Sequence, residues 1–453
     1  MTQTVLTRSQ VWSKSWPLVF ANGLIPFVGV VDTAVIGLSG NATDLAGVAL
    51  GAAVFSIFYW GTYSLRQSTT GLVAQALGVG NIRESQLVLL RSALLGLGIG
   101  AIVVLLNQPL REMAFSVLQG SGGAETVGKS YVRWRFFGTP AAIALFAITG
   151  WLIGAGLPRL VMVIYIFLAV TNAILDVWFV LGLGWGPDGV AIGTSIAEWL
   201  ALILGLGLLI RHISKNYHFS RALLHPSLIF HWASFWNLIA VNRDLFIRSL
   251  CMIVGFTWFI NSAARQGDAI LAGNQILLQF ITVWAFVLDA FAYTAEAETG
   301  RAVGRKSVAD LNRAVRLTSE FAVGCALICS AITLLAGPVV LQAMIKDKEA
   351  LHAALTFLPW CAAVPILGVA SWQLDGIFVG ATRSAAMRNS ALASVFIYLA
   401  FDFWWAPAYG NTGVWAAFLT YYIARSSTLV LAWPNLKRAI AAGEATTPSQ
   451  PNH

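Results

Sequence analysis

Several carboxylates fall inside long apolar runs of this chain, and their spacing decides what they can do there. Asn172 and Asp176 stand four residues apart, so on a helix they share one face. An amide in that position donates a hydrogen bond to a carboxylate or offers its oxygen to a cation. Burial disfavours the charged form of an acid, so such a group can take up and release a proton near neutral pH. Alternatively, two carboxylates and an amide oxygen can hold a bare sodium ion. Asp32 follows Pro17 and Pro26 in the first apolar run. Each proline withdraws a backbone amide and can kink a helix, so protonation of an acid beyond the kink would act on helix shape.

Other buried charges are weighed against simpler roles. Asp289 and Asp375 are carried as candidate functional acids of the C-terminal half. Glu296 and Glu298 sit near a run end with Arg301 close by, which fits solvated or arginine-paired acids. Glu198 and Glu320 are read first as structural, and Asp402 is left without a role. Arg66, Arg133, Arg135 and Arg248 are the intramembrane cations. A charge at the bilayer centre costs at least about 2.5–3.5 kcal/mol, so each needs a partner or a purpose.

The elements that hold these groups follow from composition. The chain has 453 residues, 58% hydrophobic and 11% charged, with a mean hydropathy of +0.74. A water-soluble surface cannot be made from that mixture. The apolar runs predict about twelve membrane-spanning helices. They lie near 16–38, 46–76, 88–107, 131–154, 159–183 and 189–210, then 236–263, 270–298, 317–345, 354–380, 386–407 and 412–434. The fold class expected is all-α, in two six-helix halves. The expected divisions are a cytoplasmic N-terminus at 1–15, an N-terminal lobe at 16–211, a linker at 212–235, a C-terminal lobe at 236–435 and a tail at 436–453.

Positive charge orients the spans. Arg8, Lys14, Arg83, Arg91, Arg159, Arg211, Lys215 and Arg221 fall on one side. Arg301, Arg305, Lys306, Arg313, Arg316, Arg383, Arg388, Lys437 and Arg438 fall there too. The opposite loops hold Arg111, Lys129, Arg265, Lys346 and Lys348. That bias places both termini in the cytoplasm and the protein in the inner membrane. The net charge of +8 is spent on this asymmetry, and no basic face interleaved with aromatics suggests a nucleic acid. His212, His218, His225 and His231 are too loosely spaced for a metal site. Cys251, Cys325, Cys329 and Cys361 read as small packing residues. Trp284 and Phe286 are candidates for lining a cavity that holds greasy cations.

A shift of 226 residues, the separation of Gly154 from Gly380, brings the halves into register. Leu45-Ala46-Gly47 falls on Leu271-Ala272-Gly273, and Asp176 falls on Asp402. Six spans per half make the repeats parallel, a transporter architecture. The same shift sets Trp258 opposite Asp32 and Tyr398 opposite Asn172, so the acid-and-amide set belongs to the N-terminal half.

Four stretches resemble the MATE (multidrug and toxic compound extrusion) family of the MOP superfamily, in its DinF branch. They are Val31-Asp32-Thr33-Ala34-Val35-Ile36-Gly37, Tyr131 to Pro140, Leu288-Asp289 to Ala297, and Leu374-Asp375-Gly376 to Arg383. The resemblance implies two pseudo-symmetric bundles around an export cleft and antiport driven by protons or sodium. It matches Asp32 to the span-one acid, Asn172 and Asp176 to the span-five pair, and Tyr131 and Thr194 to a supporting network. Sodium, if used, would sit at Asp32, Asn172, Asp176 and Thr194; the proton is favoured. The segment Cys251 to Phe259 holds no acid, unlike the NorM branch. The expected function is efflux of small amphipathic or cationic compounds by a monomer that needs no cofactor beyond the coupling ion. A flippase for lipid-linked or polyisoprenoid substrates is the alternative, and a membrane-embedded transferase is a remote one.

Overall fold

The computed structural model describes residues 5–39, 41–118, 120–217 and 225–443, and no strand occurs among them. The helices are α1 (Arg8–Ser39), α2 (Ala42–Thr62), α3 (Ser64–Val79), α4 (Ile82–Leu105), α5 (Asn107–Val117), α6 (Gly122–Arg135), α7 (Thr139–Gly154) and α8 (Pro158–Asp176). They continue as α9 (Gly186–Asn216), α10 (Pro226–Ile229), α11 (Trp232–Ala264), α12 (Asp268–Gly304), α13 (Val308–Met344), α14 (Lys348–Gly380), α15 (Ser384–Tyr409) and α16 (Asn411–Ala441). Joined pairs and single helices give eleven segments, among the described residues, that are long and apolar enough to cross a bilayer. Helix α16, at 31 residues, falls within their range of 24 to 38 residues. Its interior carries Arg425 among tyrosines, serines and threonines, which lowers its apolar content. It completes the expected twelve.

Several expected boundaries move. The second span is interrupted at Tyr63 between α2 and α3. The fourth begins at Gly122 and changes to a short 3₁₀ turn at Phe136–Gly138 before α7. Helix α5 was not expected at all; it is too short to span, and its Phe115 is buried beneath Lys129. The fifth span ends in a π-helical turn, Val177–Gly182, directly after Asp176. The expected linker is partly helical, since α9 runs to Asn216 and α11 starts at Trp232. His218 and Arg221 lie outside the described residues, as does the tail beyond Gly443.

The chain divides into two compact units, Phe20–Leu238 and Met1–Val19 with Ile239–His453. The expected N-terminal lobe began at residue 16; by contact grouping, α1 up to Val19 goes with the C-terminal unit. The start of α1 is held by the C-terminal unit. Arg8 bonds Glu320 at 2.9 Å, Lys14 bonds Glu298 at 2.7 Å, and the Ser15 and Thr294 hydroxyls meet at 2.9 Å. Trp12 stacks on Phe321. Residues 8–15 are thus helical and anchored.

Within each unit, glycines let backbones meet. A Cβ on Gly150 would stand 2.5 Å from the Arg66 carbonyl oxygen, and one on Gly154 would stand 2.8 Å from that of Thr70, so α7 lies directly on α3. In the other unit, Cβ atoms on Gly376 and Gly380 would each stand 2.2 Å from a carbonyl oxygen of α12, at Ala292 and Glu296. All four contacts coincide under the 226-residue shift. Gly47 and Gly273 repeat the pattern against the carbonyls of Ala124 and Ala350. Small residues are what allow this approach in a membrane, where hydrophobic association between helices is lost.

Gly376→Ala should therefore destabilise the C-terminal unit by about 1–3 kcal/mol, the usual cost of overpacking. Gly98→Ala, at a position with nothing within 4 Å, is the control. Equal melting temperatures of the two detergent-purified variants would contradict this packing.

Candidate functional site

Helix α8 presents Asn172 and Asp176 on one face, one turn apart, and both side chains are fully buried. Helix α1 brings Asp32 against them: its carboxyl lies beside the Asp176 carboxyl and the Asn172 amide. Both prolines lie inside α1. Pro26 lacks the amide that would bond the Asn22 carbonyl, so the helix is weakened two turns before Asp32. Thr194 of α9 accepts a hydrogen bond from Asn172 Nδ2 at 2.9 Å and donates to the Val190 carbonyl at 2.9 Å. Tyr131 of α6 is buried in the same core cluster as Val35 and Ile36. The structure thus brings together Asp32, Asn172, Asp176, Thr194 and Tyr131.

The acceptors there outnumber the donors. Among the described residues, Asp32 Oδ1, Asn172 Oδ1 and both oxygens of Asp176 have no hydrogen-bond partner. Buried acceptors are normally satisfied, so four orphans at one spot call for an explanation. Two touching carboxyls also repel unless a proton or another cation stands between them. Those four oxygens are the atoms able to hold a small monovalent cation. Among the described residues, no cluster of three or more His, Cys, Asp or Glu side chains forms a metal site.

The remaining candidates separate from this group. Asp375 is held by Arg248 Nη1 at 2.9 Å and by Arg425. Glu298 is held by Lys14 and by Arg301 at 2.5 Å. Glu320 pairs with Arg8 and Arg316 at the surface. Asp289 is half-buried on α12, and Trp284 donates to Thr333 at 2.8 Å. Asp402, the repeat partner of Asp176, accepts from Trp258 Nε1 at 2.7 Å and from the Ser262 hydroxyl at 2.9 Å. The four cysteines are free.

Three features were not singled out from the sequence as parts of this site. Arg135 and Glu198, both buried, form a two-point pair at 3.0 and 2.9 Å. They are 63 residues apart, and only the tertiary fold joins them. Gly193 borders Asp176, and a Cβ there would stand 2.6 Å from Oδ1. The π-turn after Asp176 is the third, and such turns often mark functional positions.

A family model, MatE, matches residues 17–178 and again residues 245–404. The chain belongs to the MatE family. Its two matches fall one on each repeat. Escherichia coli DNA damage-inducible protein F is 34% identical over 424 residues, covering 93% of this chain and 91% of that protein. A probable multidrug resistance protein NorM from Acinetobacter baylyi is 23% identical and covers 81% of both chains. Among solved structures, the Vibrio cholerae MATE transporter VcmN in its bent form matches with a TM-score of 0.84 at 18% identity. That match covers 96% of this chain and 98% of that one. A MATE in the straight conformation matches with a TM-score of 0.82 at 17% identity and covers 97% of both. This MatE member is a multi-pass membrane protein of the transporter class and not an enzyme.

The Gly193 contact yields a test. Gly193→Ala should force the Asp176 carboxyl aside and reduce gradient-driven ethidium transport in vesicles about tenfold at unchanged folded yield. Gly207→Ala on the same helix, with nothing within 4 Å, should transport normally. Equal rates for the two variants would remove Gly193 from the site.

Proposed function

We propose that this protein exports small amphipathic and cationic compounds by antiport against a small cation, with the proton as coupling ion. In this reading the chain sits in the inner membrane with both termini in the cytoplasm and works by alternating access. The observation that carries it is the buried Asp32–Asp176 contact: among the described residues, Asp32 Oδ1 and both oxygens of Asp176 have no hydrogen-bond partner, and neither carboxyl has an arginine ion pair. A pair of this kind needs a positive charge that comes and goes. Asp32 lies beyond Pro26 on α1, so binding there can be felt as a change of helix shape. Linkage then requires that cargo weaken ion binding by the factor by which the ion weakens cargo binding.

Sodium is the second reading, because one ion could accept Asp32 Oδ1, Asn172 Oδ1 and both oxygens of Asp176 as ligands, in keeping with its preference for oxygen. A shared proton satisfies fewer of them, but it needs no further ligands.

Purified protein in proteoliposomes, with proton and sodium gradients imposed separately, separates these readings. Under the proton reading, ethidium transport follows the pH gradient and stops when that gradient collapses, and Asp32→Asn abolishes the response. Persistence on a sodium gradient alone would replace the proton with sodium. Full gradient-driven transport by Asp32→Asn would end the antiport assignment.

A further inference from the structure

The Asp32–Asp176 pair has a charged neighbour that chain spacing does not connect with it. The Arg135 guanidinium, at the end of α6, is gripped at two points by Glu198 of α9. Its carbon stands 3.8 Å from the centroid of the Phe55 ring on α2, a cation–π distance. The grip is built into the backbone. Gly138 leaves room for the carboxylate, since a Cβ there would stand 2.2 Å from Glu198 Oε2. Ser195, one turn before Glu198, donates to the Trp134 carbonyl at 3.0 Å and ties α9 to α6 beside the pair.

The charged and titratable groups around Arg135 come from five helices. They are Asp32 on α1, Tyr59 on α2, Tyr131 on α6, Asp176 on α8 and Glu198 on α9. The tyrosines are neutral at ordinary pH. That leaves three carboxyl groups and one guanidinium in one buried cluster. With Glu198 paired, the two aspartates lack a counter-charge whenever their bound cation has left. Among the described residues, Arg135 is a cation near enough for its charge to act on both of them, and a guanidinium with five donors can exchange one carboxylate for another with little movement of its stem.

We propose that Arg135 is a positioning residue that serves as counter-ion of the emptied site, bound to Glu198 while Asp32 and Asp176 hold a cation and turned toward Asp32 once it has gone. The proposal rests on the antiport reading. It adds that Glu198 sets how strongly Arg135 is drawn away from the aspartates, and so sets the pH at which they reload. The exchange also links α6 and α9 to α1, because the same guanidinium bonds a different helix in each state.

The test is the pH profile of ethidium transport in proteoliposomes at a fixed pH gradient, read as the pH on the loading side at which the rate falls to half. Glu198→Gln frees the positive charge toward the aspartates, so the half-point should move to lower pH by about one unit, a tenfold weaker hold on the proton. Arg135→Gln removes that charge and should move it to higher pH. The double variant should lie between wild type and Arg135→Gln, and Arg135→Lys should stay close to wild type. If a single variant does not fold, the double and lysine variants still decide the matter. Loss of rate at every pH with the half-point unmoved, or shifts of one sign in both single variants, would reduce the pair to a structural role. Should Asp32→Asn transport normally in the same assay, the antiport reading itself fails. A required Asp32 with unmoved half-points would remove the Arg135 proposal alone.

Discussion

Two buried carboxyl groups pressed together without an ion pair set the terms for the rest of the N-terminal unit. At an effective dielectric constant of 20, unit charges 4 Å apart repel by about 4 kcal/mol, and moving each into a poorly hydrated interior costs several more. No packing term at one position offsets a sum of that size. Asp32 and Asp176 therefore cannot both be charged and alone: a proton on one of them, or a cation beside both, relieves the repulsion. Helix α1, weakened at Pro26, carries one partner, while α8 with Asn172 and its π-turn carries the other. Thr194 and Gly193 of α9 orient and clear the space beside them. The site is thus a cost that the fold concentrates at one point, and function follows from what relieves it.

Comparison of the two repeats shows how that cost was confined. The duplicated glycine contacts are retained on both sides, because helix spacing does not tolerate an extra carbon. The polar positions diverge. Where the N-terminal unit sets Asp32 against Asp176, the C-terminal unit sets Trp258 against Asp402, and the indole N–H and the Ser262 hydroxyl satisfy that carboxylate. Asp375 and Glu298 are likewise matched to arginine or lysine. Buried ion pairs add little net stability, but breaking one is costly, so they fix geometry. A shared scaffold has become one unit in which Asp402, Asp375 and Glu298 each have a donor or a cation, and another in which Asp32 and Asp176 meet without an ion pair.

The scaffold and the core of the site were legible in the sequence for a physical reason. Spanning length, the 226-residue repeat and the four-residue step from Asn172 to Asp176 are local or periodic properties. Tyr131 and Thr194 were placed only through the family resemblance. What stayed hidden depends on three dimensions: the Arg135–Glu198 pair, the Gly193 clearance and the assignment of Asp375 to arginines. The contacts at the start of α1 were hidden for the same reason: sequence does not show that Lys14 and Arg8 pair with Glu298 and Glu320 of the C-terminal unit.

That anchoring gives α1 a divided allegiance. Its first twelve residues group with the C-terminal unit, and the rest, from Phe20 through Pro26 to Asp32, groups with the N-terminal unit. Ion pairs hold the start of this helix, and Pro26 is where its backbone yields most easily. In the proposed antiport, a change at Asp32 would therefore bend α1 at Pro26 without needing a long chain of side-chain contacts.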